Sequence, residues 1–457
     1  MLSKAANWSS FISWHRQIPP KFLESGNYRK RPEMIPGELG FEKKPGPAQR
    51  GGSGRTGMRD WTGWGIAVFL AGGWSGAWAA EGAGSEAKPI PGQAVFQWPL
   101  FRGDSNMTGV SGEKLSLPLV PTWEFAAGGS VPATAVISDG KAYVGSLNGF
   151  FYALDLEKGK EIWKVPAKLG VEGPACVTGD LVCFGDADGK VHAVDRQTGQ
   201  PRWTYGTEAA VAGGLNTYRS RSGKTLLLLG SDDFFLHAVD ATTGTRAWAV
   251  ETGNYIKGTP SVDQQGGFVI FGGCDELVRL VDAETGNLVR QIPVGAYLAN
   301  SCAVRDNVAY IAHYAGAVMA LDLKTGTTLW THDTAGKDAE GKEMPATEFV
   351  ASPAVTAERV YVTGRDKKLR CLERATGKLL WEFSARKGIE SSPVVTETAV
   401  FFGADDGRLY AVHPVEGKEL WSFDLGSRIN SSPALGGGYL VIGSQEGTVF
   451  AFRSGGK

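Results

Sequence analysis

Two short acidic runs have the residue types of a cation site. The runs at 186–189 (Asp-Ala-Asp-Gly) and 405–407 (Asp-Asp-Gly) each place two carboxylates beside a glycine, and carboxylate oxygens are ligands that Ca²⁺ prefers. Neither run continues to the distal glutamate that a calcium-binding loop requires. The segments at 147–149 and 445–447 occupy the same place in related parts of the chain, so we interpret both acidic runs as turns.

Three histidines could act as acids, bases or metal ligands. His192 and His237 both lie three residues before an acid, in a position that other residue types fill elsewhere, which indicates a structural role. His313 differs, because it replaces the Gly-Ser or Gly-Asp of related segments, and it is a candidate for a functional role. Nothing in the sequence brings Ser, His and Asp together as a triad, so we predict no catalytic residue and no metal ligand.

A third set of polar residues lies at the starts of successive short apolar segments. Lys257, Glu390 and Asn430 occupy matching positions, and similar residues lie in or near the same segment elsewhere. A mixed polar ring of this kind suits a small-ligand or peptide site, and it equally suits a water-filled tunnel that satisfies buried backbone groups. The candidate ligand site around this ring consists of Glu172, Asn216, Lys257, Asn300, His313, Glu390, Arg428 and Asn430.

These residues recur because the chain is built from repeats. A phrase of a small apolar residue, an acid, a Thr-Gly pair and a tryptophan returns at a spacing of about 40 residues, which is the length of a four-stranded propeller blade. A unit of that length cannot bury its own apolar face, so the copies must stack on one another. Within each copy, alternating apolar residues bounded by Gly and Asp turns predict strands rather than helices.

The number of copies predicts how the ring closes. Eight third-strand phrases occur, but only seven are followed by a fourth strand, and the missing one appears at the front as Trp123-Glu124-Phe125. We therefore predict an all-β, eight-bladed propeller of four-stranded antiparallel blades, in which the strand at Trp123 pairs with the segment near Phe450. This pairing of the N- and C-terminal strands removes an open sheet edge.

The recurring tryptophans are interpreted as packing residues, since a ligand site has no need to recur in every blade. In one copy Arg290 replaces the tryptophan, and we expect its stem to cover the same surface. The predicted structural, blade-docking residues are Trp123, Trp163, Trp203, Trp248, Trp330, Trp381 and Trp421.

The chain divides into four segments. Residues 1–57 are basic and show no sustained periodicity, which suggests a disordered or mis-called extension. Residues 58–80 have the outline of a signal peptide, with a positive start, an apolar middle and small residues at 77 and 79; an uncleaved anchor is the alternative. Residues 81–120 are a linker and lead-in, and 121–457 form the propeller. We expect an exported, periplasmic or extracellular, soluble protein.

Cysteine usage and charge bear on disulfide bonding and on the kind of partner the protein binds. Five cysteines in a chain of this length are not a disulfide framework. A two-residue turn at 179–180 places Cys176 opposite Cys183, within reach of a disulfide, although buried free thiols are the other interpretation. The body of the chain is mildly acidic and shows no basic stripe, which argues against nucleic acid as a partner.

With these residues in view, the chain resembles the pyrroloquinoline-quinone (PQQ) repeat family. The shared signature is Ala-x-Asp-x-x-Thr-Gly-x-x-x-Trp, the resemblance covers about residues 98–452, and the opening Trp98-Pro99-Leu100 stretch looks like the segment that precedes the ring in that family. The resemblance implies one of two classes. One class holds quinoprotein dehydrogenases, which use PQQ and calcium, and the other holds non-enzymatic propellers such as an outer-membrane assembly lipoprotein.

The departures from the dehydrogenase pattern favour the second class. The adjacent pair of cysteines found in many alcohol-oxidising members is absent, and the only sizeable insertion runs from Asp333 to Glu348. We therefore predict a monomeric binding or scaffolding propeller of the bacterial cell envelope that has no cofactor and takes a protein or small ligand at one face. A PQQ- and calcium-dependent alcohol or sugar dehydrogenase is the alternative. A polysaccharide-associated binding propeller is the third, and exposed aromatics around Asp333–Phe349 or at Tyr255 and Tyr297 would favour it.

Overall fold

The computed structural model describes residues 97–337 and 343–455 of the chain. The regular elements in these ranges are β strands, arranged as eight four-stranded antiparallel sheets and one two-stranded hairpin. The predicted all-β, eight-bladed propeller is confirmed. The predicted extension at 1–57, the predicted signal peptide at 58–80 and the first part of the predicted lead-in lie outside the described residues.

The strands of the first four blades follow one another along the chain. The first strand, β1 (Leu119–Ala126), belongs to the last blade. Blade 1 consists of β2 (Val136–Ser138), β3 (Lys141–Ser146), β4 (Phe150–Asp155) and β5 (Glu161–Pro166). Blade 2 consists of β6 (Cys176–Thr178), β7 (Leu181–Gly185), β8 (Lys190–Asp195) and β9 (Pro201–Gly206). Blade 3 consists of β10 (Asn216–Arg219), β11 (Thr225–Gly230), β12 (Phe235–Asp240) and β13 (Arg246–Glu251). Blade 4 consists of β14 (Ser261–Asp263), β15 (Phe268–Gly272), β16 (Leu277–Asp282) and β17 (Leu288–Pro293).

The second half of the ring contains the hairpin and the closing blade. Blade 5 consists of β18 (Ala303–Arg305), β19 (Val308–Ala312), β20 (Ala317–Asp322) and β21 (Thr328–Asp333). The hairpin consists of β22 (Gly336–Lys337) and β23 (Glu343–Met344). Blade 6 consists of β24 (Ala354–Val355), β25 (Arg359–Thr363), β26 (Lys368–Glu373) and β27 (Leu379–Ser384). Blade 7 consists of β28 (Val394–Val395), β29 (Val400–Gly403), β30 (Arg408–Val412) and β31 (Glu419–Asp424). Blade 8 consists of β32 (Ala434–Gly436), β33 (Tyr439–Gly443), β34 (Thr448–Ser454) and β1.

Strand position within a blade explains the burial pattern. The first strands of neighbouring blades contact one another around the axis, and the second and third strands are buried on both faces, as in β11 and β33. The fourth strand lies at the outer edge and alternates between exposed and covered residues, as in β5. The continuous apolar runs of the inner strands and the alternation of the outer strands follow from these surroundings.

The two ends of the chain meet in blade 8, as predicted. β1 pairs antiparallel with β34, so that Trp123 faces Ala451 and Glu124 faces Phe450. A register shift separates Pro121 from Trp123, and a similar shift between the third and fourth strands recurs elsewhere, for example at Ala153/Leu154. Because the closing strand supplies the fourth position of the last sheet, the ring has no open junction.

Six of the seven docking tryptophans pack beneath a turn glycine of the following blade. A Cβ built on Gly159 would lie 2.6 Å from the Trp123 indole, and one on Gly199 would lie 2.8 Å from Trp163. The Trp123 Nε1 donates to Leu156 O at 2.8 Å. Glycine is required at these turns for two reasons, since its φ is positive and no side chain fits above the ring.

Arg290 takes over this role in blade 4. Its Nη1 and Nη2 donate to the carbonyl oxygens of Thr325 and Lys324, at 3.0 and 2.9 Å. Its Cδ lies 2.9 Å from the position that a Cβ on Gly326 would take. The arginine stem therefore covers the glycine that an indole covers in the neighbouring blades, while its head holds the same turn.

A belt of side-chain hydroxyls joins the blades next to the axis. Each hydroxyl accepts a hydrogen bond from the backbone N–H at the same position in the preceding blade, as from Ser301 to Ser352 at 3.0 Å and from Ser352 to Ser392 at 3.0 Å. The belt is interrupted where Pro174 and Gly214 occupy the position, because neither residue carries a hydroxyl. The hydroxyls of the belt belong to Thr259, Ser301, Ser352, Ser392, Ser432 and Thr134.

The possible disulfide between Cys176 and Cys183 is not formed. The two residues face each other across β6 and β7 in the predicted register, but both thiols are free and fully buried. Burial raises the pKa of the Cys176 thiol to about 12, so the thiolate needed for oxidation is scarce. The cysteines serve as small apolar residues in the core.

Candidate functional site

The two ends of the propeller carry different backbone segments. Because each blade is an antiparallel meander, the turns between first and second strands share one end with the turns between third and fourth strands. We call this end the turn face. The other end, the connection face, carries the turns between second and third strands and the connections that lead from one blade to the next.

The lead-in segment, residues 98–111, closes the axis on the side of the turn face. Its backbone carbonyls accept hydrogen bonds from one matching N–H in six of the first strands. For example, Val262 donates to Ser105 O at 2.7 Å and Val395 donates to Gly109 O at 2.9 Å. The side chains of Trp98 and Met107 are buried beneath the ring. The six N–H donors belong to Ile137, Val177, Val262, Val304, Val355 and Val395.

Arg102 anchors this segment from the inside. It is 1% exposed, its Nη2 donates to Pro353 O at 3.0 Å, and its Nε and Nη1 have no partner among the described residues. Burial lowers the pKa of Arg102 to about 9, although Asp104 partly opposes this effect. Gly109 leaves room for the guanidinium, since a Cβ there would lie 1.9 Å from Nη2.

The connection face presents a cluster of ion pairs across blades 6 to 8. The Arg365 Nη1 lies 2.5 Å from Glu348 Oε2, and its Nη2 lies 2.7 Å from Glu390 Oε1. The Asn430 Nδ2 donates to the other oxygen of Glu390 at 2.5 Å. One arginine therefore holds two glutamates, and the amide of Asn430 fixes the second of them.

Asp405 borders this cluster, close to Glu390, Arg428 and Arg365. Burial raises the pKa of Asp405 to about 6, and the negative charge of Glu390 adds to the effect, while Arg428 and Arg365 oppose it. Its Oδ1 is buried and has no donor within the described residues. The carboxylate is thus poorly stabilised as a charge, and it is free to accept a hydrogen bond from a ligand.

A second polar cluster lies on blades 2 to 4. The Lys257 Nζ lies 2.5 Å from Asp232 Oδ2, and both side chains are largely buried. Burial raises the pKa of Glu172, and Lys257 opposes that rise. Burial likewise raises the pKa of the Cys274 thiol to about 11. A lysine shared by two carboxylates leaves the cluster without excess positive charge.

The eight predicted site residues lie either on the connection face or in the interior of the propeller. Glu172, Lys257, Glu390, Arg428 and Asn430 lie on the connection face in the two clusters. The other three predicted residues are tied to the backbone of the ring.

Asn216 is fully buried, and its Nδ2 donates to Ser105 O and Pro260 O, so it holds the lead-in segment. Asn300 donates to Ala312 O at 2.7 Å. His313 accepts the N–H of Ala315 at its Nδ1, and burial lowers its pKa. Asn216 and His313 are therefore accounted for by contacts within the fold.

Sequence reasoning missed a whole position of the repeat. The second residue of each turn between second and third strands donates its N–H to the preceding connection, as Asp232 does to Ala210 O and Arg365 does to Glu348 O. These contacts bring the turn against the connection that carries Glu172, Lys257 or Glu390. The residues at this position are Leu147, Ala187, Asp232, Cys274, Tyr314, Arg365, Asp405 and Gln445.

The acidic runs and the two matched histidines belong to a structural motif. The Asp186 Oδ2 lies 2.8 Å from His192 Nε2, and the Asp233 Oδ2 lies 3.0 Å from His237 Nε2. Arg279 pairs with its turn aspartate in the same way. In each of these blades, a third-strand side chain binds the carboxylate of the turn that precedes its strand. His192, His237 and Arg279 therefore make the same contact although their residue types differ.

Apolar side chains are exposed on the connection face. Leu147 is 43% exposed and Leu169 is 59% exposed, and the backbone of Gly170 lies against Leu147. On blades 3 and 5, Phe234 is 39% exposed and Tyr297 is 45% exposed. Other large exposed apolar residues, such as Ile162 and Leu329, lie on the outer strands. The four on the connection face share it with the polar clusters, and exposed apolar side chains of this kind occur at interaction surfaces.

Two features of the connection face weigh against a PQQ cofactor with its calcium ion. A cofactor with several carboxylates needs cationic donors, but Lys257 and Arg365 are already paired with carboxylates of the protein. In the part of the chain that the structure describes, no group of three or more His, Cys, Asp or Glu side chains is placed to hold a metal ion. No catalytic step is therefore derived for this site.

The fold and this face define a propeller whose lead-in segment is hydrogen-bonded to the first strands near the turn face, and comparisons with known proteins agree on its repeat type. A family model described as "Outer membrane protein assembly factor BamB" matches residues 232–350 and 341–457. The chain is a PQQ-like repeat propeller, related both to BamB and to quinoprotein alcohol dehydrogenases.

Relatives of both kinds are recognisable. A 1-butanol dehydrogenase (quinone) from Thauera butanivorans is 32% identical over 137 residues, which are 25% of this chain and 22% of that protein. The crystal structure of BamB from Moraxella catarrhalis has a TM-score of 0.62 at 17% identity, covering 73% of this chain and 99% of that one. A quinohemoprotein alcohol dehydrogenase from Comamonas testosteroni has a TM-score of 0.66 at 16% identity, covering 79% and 81%. The chain thus matches about a fifth of the length of its curated relative, and the structural likeness concerns the fold.

Within residues 97–337 and 343–455, no helix is long and apolar enough to cross a membrane.

Proposed function

We propose that the protein is an exported, monomeric propeller of the bacterial cell envelope that binds a partner on its connection face and catalyses no reaction of its own. One observation carries the proposal. The lead-in segment occupies the axis beneath the turn face, so the mouth of the ring is accessible from the connection face. The exposed Leu147 and Leu169 on that face support a docking role, because apolar side chains supply most of the energy at interface centres.

The insertion at 333–348 supports the same assignment. It lies in the connection between β21 and β24, and its base is fixed where Thr347 N donates to Thr334 Oγ1 at 2.9 Å. Glu348, four residues after the end of the hairpin, pairs with Arg365. An insertion anchored beside the polar cluster extends the connection face, and loops of this kind are common carriers of binding function.

The proposal is tested by capture of partners from envelope extracts. The Leu147→Asp/Leu169→Asp double variant places charge on the connection face, and Val415→Asp, at a residue that is 51% exposed on the turn face, is the matched control. We expect the double variant to lose the captured proteins and the control to retain them. Equal capture by all three proteins contradicts the proposal. Fractionation of cells and N-terminal sequencing of the mature protein test export, and light scattering tests the monomer.

A PQQ- and calcium-dependent dehydrogenase is the second candidate, because the curated relatives carry dehydrogenase names. Incubation with PQQ and Ca²⁺, followed by dye reduction with a panel of alcohols and sugars, separates the two functions. Turnover with any of these substrates contradicts the non-enzymatic proposal. Failure to bind PQQ contradicts the dehydrogenase.

A further inference from the structure

We infer that the connection face of blades 3 to 5 carries a saccharide-binding site centred on Phe234, Tyr255 and Tyr297. This inference rests on the proposed binding function, for which it names a class of ligand. It is carried by three features of this face: an aromatic residue held in an unfavourable backbone conformation, exposed or half-buried rings on neighbouring connections, and hydrogen-bond acceptors that have no donor within the described residues.

Phe234 occupies a position that the fold reserves for residues with positive φ. It is the fourth residue of the turn between second and third strands, and five blades place glycine there. In blade 3 a phenylalanine has a φ of 75°, a conformation that is a genuine outlier for a bulky side chain. The ring is nevertheless 39% exposed. Packing in the core does not explain this residue, whereas contact with a ligand does.

One tyrosine adjoins this ring, and a second lies on the next connection. The Tyr255 ring centroid lies 5.2 Å from that of Phe234. Cys274 links Tyr255 to the next connection, since its N–H donates to Tyr255 O at 2.9 Å and its Sγ lies 3.8 Å from Leu298 O. Tyr297, directly before Leu298, is 45% exposed. Exposed rings of this kind offer apolar faces with a polar tip, which suits the C–H faces and hydroxyls of a sugar ring.

Polar groups that complement hydroxyls lie beside the aromatic residues. Asp232 is 7% exposed, and its Oδ1 has no donor within the described residues, and neither does the Oδ1 of Asn300. The Lys257 Nζ is paired with Asp232 Oδ2 and lies 5.3 Å from the Tyr255 ring centroid. Hydroxyl groups both donate and accept hydrogen bonds. A neutral polyol therefore supplies donors to these acceptors without an unpaired charge.

The balance of charge and shape favours a saccharide over a protein segment at this place. Lys257 is offset by Asp232 and Glu172, so the site selects no strongly charged group. The aliphatic side chains that suit a protein interface, Leu147 and Leu169, belong to other blades. The aromatic rings on blades 3 to 5 alternate instead with carboxylate, amide and ammonium groups.

The test uses defined saccharides with the full-length protein and matched variants. The probes are cellohexaose, laminarihexaose and chitohexaose in calorimetry, with insoluble cellulose, chitin and peptidoglycan in sedimentation. Phe234→Gly removes the ring and installs the residue that five blades carry at that position. Lys367→Gly is the control, because Lys367 holds the same turn position in blade 6 with a φ of 74°. Tyr297→Ala and Tyr297→Phe separate loss of the ring from loss of the hydroxyl.

We expect at least one probe to bind the unaltered protein, with affinity about tenfold lower in Phe234→Gly and in Tyr297→Ala, close to the size of one aromatic contact. Lys367→Gly and Tyr297→Phe should bind within about twofold of the unaltered protein. Absence of binding to every probe overturns the inference, as does binding that all variants retain.

The two proposals fail in different ways. If Leu147→Asp/Leu169→Asp abolishes protein capture while no saccharide binds, the docking function stands and the saccharide site falls. If Phe234→Gly abolishes capture of a protein partner and no saccharide binds, the aromatic site is a protein contact. If saccharides bind in a Phe234-dependent manner while no protein is captured, the saccharide site stands alone.

Discussion

Trp123 and Gly159 join the last blade of the propeller to the first. The indole belongs to β1, which closes blade 8 by pairing with β34, and it packs beneath a turn of blade 1 where a Cβ on Gly159 would lie 2.6 Å away. Its Nε1 donates to Leu156 O at 2.8 Å. The first and last strands of the propeller are thus held by their pairing and by an inter-blade contact that five other junctions share.

Trp123→Ala should destabilise the ring at this junction. It removes a large buried side chain together with a hydrogen bond, and Trp→Ala changes in a core cost about 3–5 kcal/mol. Urea unfolding followed by far-ultraviolet circular dichroism measures the loss. Trp421→Ala is the matched control, because no turn glycine of the next blade lies against Trp421 and the loss there should be smaller. Equal losses at both sites contradict a special role for the Trp123 junction.

Ser352→Ala should show how much the hydroxyl belt contributes to the unfolding free energy. The change leaves the buried N–H of Ser301 without its acceptor, and a buried donor without a partner costs about 1–3 kcal/mol. Chemical denaturation measures the difference in unfolding free energy. Thr327→Ala, in an exposed turn where Thr327 shares a hydrogen bond with Thr325, should cost less than about 0.5 kcal/mol. A loss at Ser352 no greater than at Thr327 would show that the belt is not a stabilising feature.

Asp405 should make the protein less stable as the pH rises. Burial raises the pKa of this carboxyl to about 6, above the value of about 3.9 expected in the unfolded chain. The folded state therefore binds this proton more tightly. Its stabilising effect is fully present below the unfolded pKa and is lost as the pH rises through the folded pKa.

Asp405→Asn removes this ionisable group, so comparing the variant with the unaltered protein isolates the effect of the titration on stability. We expect the variant to be more stable than the unaltered protein by about 1–2 kcal/mol near pH 8, and to show no such gain near pH 4. Thermal unfolding across this range checks the expectation. Asp406→Asn is the control, because Asp406 accepts a hydrogen bond from Tyr410 at 2.6 Å and its loss should not stabilise the protein. A gain for Asp405→Asn that is constant with pH would contradict the titration.

The fold was predictable from the sequence because every blade buries its apolar residues in the same way. The pairing of Trp123 with the segment near Phe450 followed from counting strands, and the facing of Cys176 and Cys183 followed from a two-residue turn. Whether the two thiols are bonded did not follow from this register, since cross-strand reach alone does not decide oxidation. Regular architecture constrains which residues face each other, but it does not fix their chemistry.

The candidate site was predictable only in part. Lys257 and Glu390 were found because they occupy matching positions in the repeat. Asp232 and Arg365 were missed because their position carries seven different residue types in eight blades, from leucine to arginine, and so shows no recognisable pattern. Asn216 was assigned to the ligand ring because nothing in the sequence shows that the lead-in segment runs beneath the ring and accepts its amide.

Gly109→Ala should test how the lead-in segment is held. Gly109 has a φ of 67°, and a Cβ there would lie 1.9 Å from Arg102 Nη2. The buried guanidinium has little room to move, because it donates to Pro353 O and is 1% exposed. We expect the substitution to lower the unfolding free energy by about 2–3 kcal/mol.

A double-mutant cycle with Arg102→Ala separates the contact from the backbone conformation. Removing the guanidinium makes room for the new methyl group. In the Arg102→Ala background, Gly109→Ala should therefore lower the unfolding free energy by only about 1 kcal/mol, the value expected for a positive φ alone. The coupling energy is the difference between the two costs, measured by chemical denaturation of all four proteins. If Gly109→Ala costs the same with and without Arg102, the glycine serves only the backbone turn, and the guanidinium does not set the path of the segment that seals the axis.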